Sequence, residues 1–121
     1  MIEKKDGGYQ ICIDYRGVNS ITQADATPLP SHVQIRKVLQ GSKYFSKIDI
    51  RDAFHQIRID EGSIHKTAFQ TRYGLFEFIV SAFGLKNSPA VFMKFMNAKF
   101  FDLVDSIVIF YMDDIIIFSK D

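Results

Sequence analysis

The sequence predicts an α+β fold, a mostly antiparallel sheet backed by helices, in a single domain. Short apolar segments alternate irregularly with two helical segments, in the order strand, helix, strands, helix, hairpin, without the regular β-α-β repeat of a parallel sheet. The length of 121 residues fits one domain. A hydrophobic content of 47%, with 12 Phe and 5 Tyr, is enough for a packed core and excludes a disordered chain.

The first elements are a strand and a loop. Apolar and polar residues alternate from Tyr9 to Asp14, after a Gly7-Gly8 turn, which is typical of a half-buried strand. Residues 15–30 are mostly polar or small and end in Pro28-Leu-Pro30, which favours extended backbone. We therefore expect residues 15–30 to form a loop.

A helix and four strands are expected next. Ser31 is a suitable N-cap for a helix that runs to Leu39, and Gly41 stands where a left-handed C-terminal residue is needed. The strands are predicted in short segments rich in Phe, Ile and Thr, which turn residues separate: 44–50, 56–59, 66–71 and 75–80.

The second helix has the clearest start signal. Ser88 is a good N-cap, and Pro89 stands at the first helical position, where its missing N–H has no cost. Apolar residues then recur at the spacing of one buried helix face: Phe92, Phe95, Met96, Phe100, Leu103 and Val104.

Two apolar strands, 106–112 and 115–119, are expected to form a tight hairpin joined at Asp113-Asp114. Aspartates at a hairpin tip are often solvated turn residues, because aspartate tolerates positive φ, and this alternative stays open. The flanking strands, however, are too apolar for the surface, so the tip should be attached to the core. Two carboxylates fixed there repel each other and are costly to desolvate unless a cation joins them.

Asp49 is a third acid of this kind, set between two isoleucines at the end of a predicted strand. It could instead cap a short turn that begins at Arg51. Three such aspartates match a two-metal site, in which Mg²⁺ ions about 3.5–4 Å apart hold the attacking and leaving oxygens of a phosphoryl displacement. The chemistry that uses such a site is nucleotidyl transfer.

The charge of the chain is unevenly distributed, although the net charge is only +1. Residues 1–100 hold 14 Lys or Arg against nine Asp or Glu, whereas residues 101–121 hold one Lys against five Asp. A metal-carboxylate site that faces an anionic substrate would give this pattern, and so would chance in a short chain.

Cysteine usage and hydropathy indicate an intracellular protein that is not secreted. Cys12 is the only cysteine and has no partner for an internal disulfide, and the first eight residues are too polar for a signal peptide. The longest apolar stretch, 106–118, contains two aspartates and is shorter than the roughly 20 residues of a membrane-spanning helix. We therefore expect no membrane association.

Five motifs follow one another along about residues 2–121. They are residues 4–19 (KKDGGYQICIDYRGVN), 44–58 (YFSKIDIRDAFHQIR), 65–69 (HKTAF), 83–92 (FGLKNSPAVF) and 111–114 (YMDD). In this order they closely resemble the reverse transcriptase of gypsy-type LTR retrotransposons. The resemblance implies a polymerase palm with part of the fingers and with the catalytic Asp-Asp hairpin at its C-terminal end. It also implies an RNA-directed DNA polymerase that adds deoxynucleotides to a primer 3′-hydroxyl.

The resemblance assigns roles to the acidic residues. Asp49, Asp113 and Asp114 match the catalytic acids of the family. Asp49, Asp113 and the Ile50 carbonyl would ligate two Mg²⁺ ions, with Asp114 as the third, supporting carboxylate and with Mn²⁺ as a substitute ion. The implied partners are an RNA or DNA template with its primer strand, and deoxynucleoside triphosphates.

The resemblance also implies a nucleotide site. The incoming nucleotide would lie against Asp52, Ala53 and Phe54, and Phe83 would line the same pocket. Phe54 matches an aromatic steric gate, whose ring would clash with a ribose 2′-hydroxyl and so select deoxynucleotides. A phenylalanine that serves only the core is the alternative for this position.

Triphosphate binding would involve Lys5, which matches a lysine of the fingers loop, although Lys4 is an equally good choice of register. Gln10, a further residue of the implied nucleotide site, stands where the family usually has an arginine; it can hydrogen-bond a phosphate but brings no positive charge to it. Ser81-Ala82 replaces a usual Met-Pro pair.

In family terms, residues 1–121 are expected to form a partial reverse transcriptase domain, from which the thumb, connection and RNase H are absent. The thumb, connection and RNase H, together with an integrase, would belong to a larger polyprotein. That polyprotein would be located in a cytoplasmic particle or in the nucleus. The alternative is a catalytically silent retroelement remnant that folds and at most binds nucleic acid or a partner. A third class, an unrelated palm-type nucleotidyl transferase or cyclase, would need its own signature loop, which we do not find.

Overall fold

A computed structural model describes Ile2, Glu3 and residues 7–121 of the chain. The described strands pair only antiparallel, as a two-stranded sheet β1-β2, a three-stranded sheet β3-β7-β6 and a two-stranded sheet β4-β5. The strands are β1 (Ile2–Glu3), β2 (Tyr9–Gln10), β3 (Tyr44–Asp49), β4 (Phe69–Thr71), β5 (Gly74–Phe76), β6 (Val108–Tyr111) and β7 (Asp114–Ser119). The helices are α1 (Arg16–Ile21), α2 (His32–Leu39) and α3 (Ser88–Lys99), with 3₁₀ helices at Ala53–Gln56 and Glu61–Thr67.

The chain divides into two compact units. The first unit comprises residues 1–24 and 54–88, and the second comprises residues 25–53 and 89–121. The first unit contains the two small sheets and α1, and the second contains α2, the three-stranded sheet and all of α3 after its first residue. Antiparallel sheets accompanied by helices confirm the predicted α+β class.

The sheet of the second unit has β7 as its central strand. Its register pairs Tyr44 with Ser119 at one end and Asp49 with Asp114 at the other. Residues 108–110 of the four-residue strand β6 are buried, and their apolar side chains form most of the core within this sheet. The two apolar strands of the predicted hairpin are thereby confirmed.

The hairpin turn lies one residue earlier than expected. Tyr111 pairs with Asp114, so the connecting residues are Met112 and Asp113, and Asp114 is already the first residue of β7. Met112 has a φ of 55°, the left-handed conformation that a tight two-residue connection requires. The prediction that Asp113 and Asp114 together form the connection is therefore wrong by one position.

The predicted first helix is confirmed as α2. The Ser31 hydroxyl accepts the Gln34 N–H, and the Gln34 side chain accepts the Ser31 N–H at 2.8 Å, so both halves of a capping box are present. Gly41 follows with a φ of 82°, as expected for a left-handed residue after a helix.

The predicted second helix is α3, but it differs at both ends. Ser88 is already the first residue of the helix, one position later than an N-cap, and its hydroxyl donates to the Ala82 carbonyl at 3.0 Å. The helix ends at Lys99, since the following backbone forms turns instead, and Asp105 there has a φ of 62°. The buried residues of this helix are Ser88, Phe92, Met93 and Met96, so the predicted buried face is wrong for Phe95, whose side chain is exposed.

Two predictions for the start of the chain are wrong. The strand predicted from Tyr9 to Asp14 is only two residues long, with Tyr9 paired to Glu3 and Gln10 to Ile2, and the Tyr9 and Ile11 side chains are exposed. The segment predicted as a loop contains α1, whose first turn closes with a 2.7 Å bond from the Asn19 N–H to the Tyr15 carbonyl.

The strands predicted in the middle of the chain are shorter than expected. Residues 53–56 form a 3₁₀ helix, and the segment 56–59 contributes only an antiparallel bridge between Arg58 and Val80. Residues 66 and 67 belong to the second 3₁₀ helix, so β4 keeps only the last three residues of its predicted range. Among the helices of the described chain, none has the length and apolar character to cross a membrane.

Candidate active site

Two of the three predicted catalytic acids face each other across the sheet of the second unit. Asp49 is the last residue of β3 and pairs directly with Asp114, the first residue of β7. The neighbouring Ile50 N–H donates to the Asp113 carbonyl at 2.8 Å. A directly opposed pair beside such a bond is of the closely spaced type, with side chains on the same face. The register therefore brings the Asp49 and Asp114 carboxyl groups side by side.

Asp113 lies in the turn that precedes Asp114, and its side chain is exposed. Its carbonyl holds the peptide of Ile50, the residue whose own carbonyl is predicted as a metal ligand. Asp49 is exposed as well, whereas Asp114 is half-buried. The expected desolvation of these carboxylates is therefore wrong for Asp49 and Asp113. Asp49 lies in β3, which is exposed along its whole length, and the hairpin tip reaches solvent although residues 108–110 of β6 are buried, since β7 is mostly half-buried.

Lys47 supplies a cation to this acidic cluster, and the sequence reasoning missed it. Its Nζ lies 2.8 Å from Asp114 Oδ2. The hydrogen bond to Asp114 raises the pKa of the Lys47 ammonium, and the charges of Asp114, Asp49 and Asp113 act in the same direction. Lys47 precedes Asp49 by two positions on one strand, so both side chains point to the same face. That spacing is the signal that could have identified it.

The oxygen donors in this cluster are of the type that Mg²⁺ prefers, namely carboxylates with a backbone carbonyl nearby. Within residues 2–3 and 7–121, however, no three His, Cys, Asp or Glu side chains are gathered closely enough to hold a metal ion. The ion pair with Lys47 engages one Asp114 oxygen. The donor set therefore fits a divalent cation in its chemistry, while its side chains are not gathered around one ion position in the described residues.

Asp52 and Ala53, the next predicted residues of the nucleotide site, follow β3 in the second unit. Asp52 has a φ of 49°, and the Arg51 side chain lies 3.8 Å from its carboxylate. A left-handed conformation of a non-glycine residue is uncommon and is found more often where function constrains the backbone. Ala53 is 3% exposed, so its methyl group belongs to the core of the unit.

The two predicted aromatic residues of the nucleotide site contact each other in the first unit. The Phe54 and Phe83 rings meet edge to face, with centroids 5.2 Å apart. His55, which the sequence reasoning did not single out, packs against Phe83 in the same manner at 5.2 Å and stacks on Phe78 at 6.1 Å. Phe54 is half-buried, so part of its ring remains accessible to solvent.

The remaining predicted residues lie elsewhere in the first unit or outside the described chain. Gln10 is in β2, opposite Ile2, and is half-buried. Lys5, and Lys4 as its alternative, lie outside the described residues. Ser81, one of the two departures from the family pattern, is buried, and its hydroxyl lies 2.5 Å from that of Ser88.

Comparison with known proteins also indicates a reverse transcriptase. The family model described as reverse transcriptase (RNA-dependent DNA polymerase) matches residues 2–121. The retrovirus-related Pol polyprotein from transposon 297 of Drosophila melanogaster is 45% identical over 111 residues, which cover 92% of this chain and 10% of that polyprotein. The transposon Tf2-3 polyprotein of Schizosaccharomyces pombe is 38% identical over 119 residues, or 98% of this chain and 9% of the relative.

A solved structure with a similar fold is the foamy viral protease-reverse transcriptase in complex with an RNA/DNA hybrid. It has a TM-score of 0.79 and 26% identity, over 89% of this chain and 14% of that chain. This likeness confirms the expected fold, part of the palm and fingers of a reverse transcriptase. The chain spans about a tenth of the length of the curated relatives it matches. Because the family model matches nearly the whole length of this chain, the chain belongs to the reverse transcriptase (RNA-dependent DNA polymerase) family.

Proposed function

We propose that these residues are the fingers and palm portion of an RNA-directed DNA polymerase, which adds deoxynucleotides to a primer 3′-hydroxyl along an RNA or DNA template. The observation that carries this proposal is the direct pairing of Asp49 with Asp114, beside a turn that presents Asp113. Its relatives are polyproteins, so the thumb, connection, RNase H and integrase are proposed to belong to other parts of a longer intracellular protein.

The proposed metal ligands are Asp49, Asp113 and the Ile50 carbonyl, with Asp114 as a supporting carboxylate, for two Mg²⁺ ions or Mn²⁺ in their place. When bound, such ions activate the primer hydroxyl and neutralise charge on the triphosphate. The chain's own contribution is positional. The antiparallel register holds Asp49 next to Asp114, and the 2.8 Å bond from the Ile50 N–H fixes Ile50 against the turn of Asp113.

Lys47 is proposed to orient Asp114 rather than to contact substrate. Its ammonium is 2.8 Å from one Asp114 oxygen, so the carboxylate is held toward β3. That contact explains how a half-buried carboxylate next to Asp49 is tolerated, because like charges directly opposite each other on a sheet are otherwise destabilising.

The test of the proposed function is primer extension by a chimera, in which these residues replace the matching segment of the transposon 297 polyprotein. We expect Mg²⁺-dependent extension of a DNA primer on an RNA template, with the unaltered transposon 297 protein as the positive control. Since nucleotide addition requires both strands to be held in register, the remaining parts of the enzyme must be present. A chimera that folds but extends no primer, both as it stands and with the Gln10→Arg substitution described next, would contradict the proposal.

The second candidate function is the catalytically silent remnant, which Gln10 favours because a neutral amide stands where the family usually has an arginine. Gln10→Arg separates the two functions. If the chimera is inactive and this substitution restores extension, the chain is an enzyme with a weakened triphosphate contact. If Gln10→Arg leaves it silent, the remnant is the better description. Ser81 argues against decay, because its hydroxyl is buried beside that of Ser88.

Phe54 is proposed to select deoxynucleotides as a steric gate. Its half-buried ring is held by edge-to-face contact with Phe83 at 5.2 Å, which gives it a defined position. We expect Phe54→Ala to lower the preference for deoxynucleotides over ribonucleotides by about 10²-fold, which is the upper range for a purely steric change in a pocket. The measurement is kcat/KM for the two nucleotide types. Phe54→Tyr, which keeps the ring, is the matched control and should retain the preference.

A further inference from the structure

The loop that follows Phe83 is tied to the segment around α1 by side chains. The Asn19 side-chain amide donates from Nδ2 to the Gly84 carbonyl at 2.7 Å, and its Oδ1 accepts the Lys86 N–H at 2.8 Å. Two further bonds run between the same segments: Lys86 Nζ donates to the Thr22 carbonyl, and Asn87 Nδ2 donates to the Gln23 carbonyl. Asn19 thus uses both ends of one amide to fix two peptides of the loop.

At Gly84 this loop closely approaches the residues just before α1. Its φ is +93°, a conformation that side chains rarely adopt. A Cβ atom at this position would lie 3.2 Å from the Ile13 carbonyl oxygen and 3.6 Å from the Tyr15 ring. Tyr15 itself is buried, and its hydroxyl donates to the Thr67 carbonyl at 2.9 Å. The surface on which Gly84 rests is therefore rigid, and Asn19 holds the loop against it.

The residue directly before this fixed point is Phe83, whose ring contacts both Phe54 and His55. The backbone position of Phe83 sets where its ring can meet Phe54, because edge-to-face pairs form only over a narrow range of centroid separations. Asn19 bonds the Gly84 carbonyl and the Lys86 N–H, which belong to the first and third residues after Phe83. These two bonds therefore hold the backbone from which the Phe83 ring projects.

We infer that Asn19 is a positioning residue for deoxynucleotide selection, which acts by holding the Gly84–Lys86 backbone so that Phe83 fixes the Phe54 ring. This inference rests on the proposed function, in particular on Phe54 as the steric gate. Asparagine suits the role because its short side chain offers a donor and an acceptor together. Aspartate would keep the bond from Lys86 and lose the donor to Gly84, and alanine would lose both.

The test compares Asn19→Ala, Asn19→Asp and Asn87→Ala in the chimera described above. For Asn19→Ala we expect the KM for deoxynucleotides to rise by about tenfold and the preference over ribonucleotides to fall by a similar factor, the equivalent of two hydrogen bonds. We expect kcat to change by less than about twofold, since Asn19 does not touch the reacting atoms. Asn19→Asp should lie between wild type and Asn19→Ala.

Asn87→Ala is the matched control, because it removes an amide of the same type that bonds a backbone carbonyl between the same two segments. If Asn87→Ala also raises KM and lowers the nucleotide preference, these amides have a merely structural role, and that result would overturn the inference. Unchanged selectivity in Asn19→Ala would overturn it too, with the proposed function intact. Absence of extension by every version, including the unsubstituted chimera, would overturn the proposed function and the inference together.

Discussion

Replacing Asp113 by asparagine should lower the rate of primer extension by about 10³-fold, because a charged metal ligand supplies several kcal/mol of transition-state stabilisation. Asparagine keeps the size of the side chain and the turn in which it lies, so the change removes charge alone. The measurement is the single-turnover extension rate of the chimera at saturating Mg²⁺ and nucleotide.

Asp102→Asn is the matched control for this prediction. Asp102 is also an exposed aspartate of the second unit, in the turns that follow α3, and it lies outside the hairpin, 11 residues before Asp113. Its substitution should leave the rate within about twofold, as expected for a surface change away from the site. An Asp113→Asn variant that extends primers as fast as Asp102→Asn would show that the proposed metal site is wrong.

The second large effect concerns the core of the second unit. Phe92→Ala should lower the free energy of unfolding by about 3–5 kcal/mol, the range for truncation of a buried phenylalanine. Phe92 is 1% exposed and lies on the buried face of α3 with Met93 and Met96, so the ring leaves a cavity when it is removed. Since a domain of this kind is stable by only about 5–15 kcal/mol, such a loss is severe. Urea unfolding of the 121-residue chain, followed by circular dichroism, measures it.

Phe101 provides the comparison, because it is the same residue type in the same unit with its side chain 80% exposed. Phe101→Ala should change the free energy of unfolding by less than about 0.5 kcal/mol. Equal destabilisation by the two substitutions would mean that the assignment of the α3 face is wrong.

Local sequence signals predicted those elements whose ends are set by nearby residues. Ser31 and Gln34 form a cap within one helical turn, so α2 could be located without any knowledge of the tertiary structure. The strand predicted from Tyr9 failed for the opposite reason. Its alternating pattern is present, but alternation does not show which backbone groups find a partner, and the described strand comprises only Tyr9 and Gln10.

The candidate site divides in the same manner. Asp49, Asp113 and Asp114 could be named from their unusual setting among apolar residues, and the motifs gave them roles. The spacing of Lys47 from Asp49 indicates the face on which it lies, but neither its contact with Asp114 nor the contacts of Asn19 could be predicted from neighbouring residues. The Lys47 contact depends on the register between β3 and β7, and the two Asn19 contacts join residues that are separated by 65 and by 67 positions.

The ion pair of Lys47 with Asp114 also bears on how the protein behaves when metal is withheld. A lysine cation already compensates part of the negative charge at this end of the sheet. The second unit should therefore fold and keep its structure in the presence of a chelator such as EDTA, although polymerisation stops. In this respect the site differs from zinc-dependent domains, in which the metal is needed for folding itself. An apo form of the enzyme would be a stable species, ready to take up its ions when they become available.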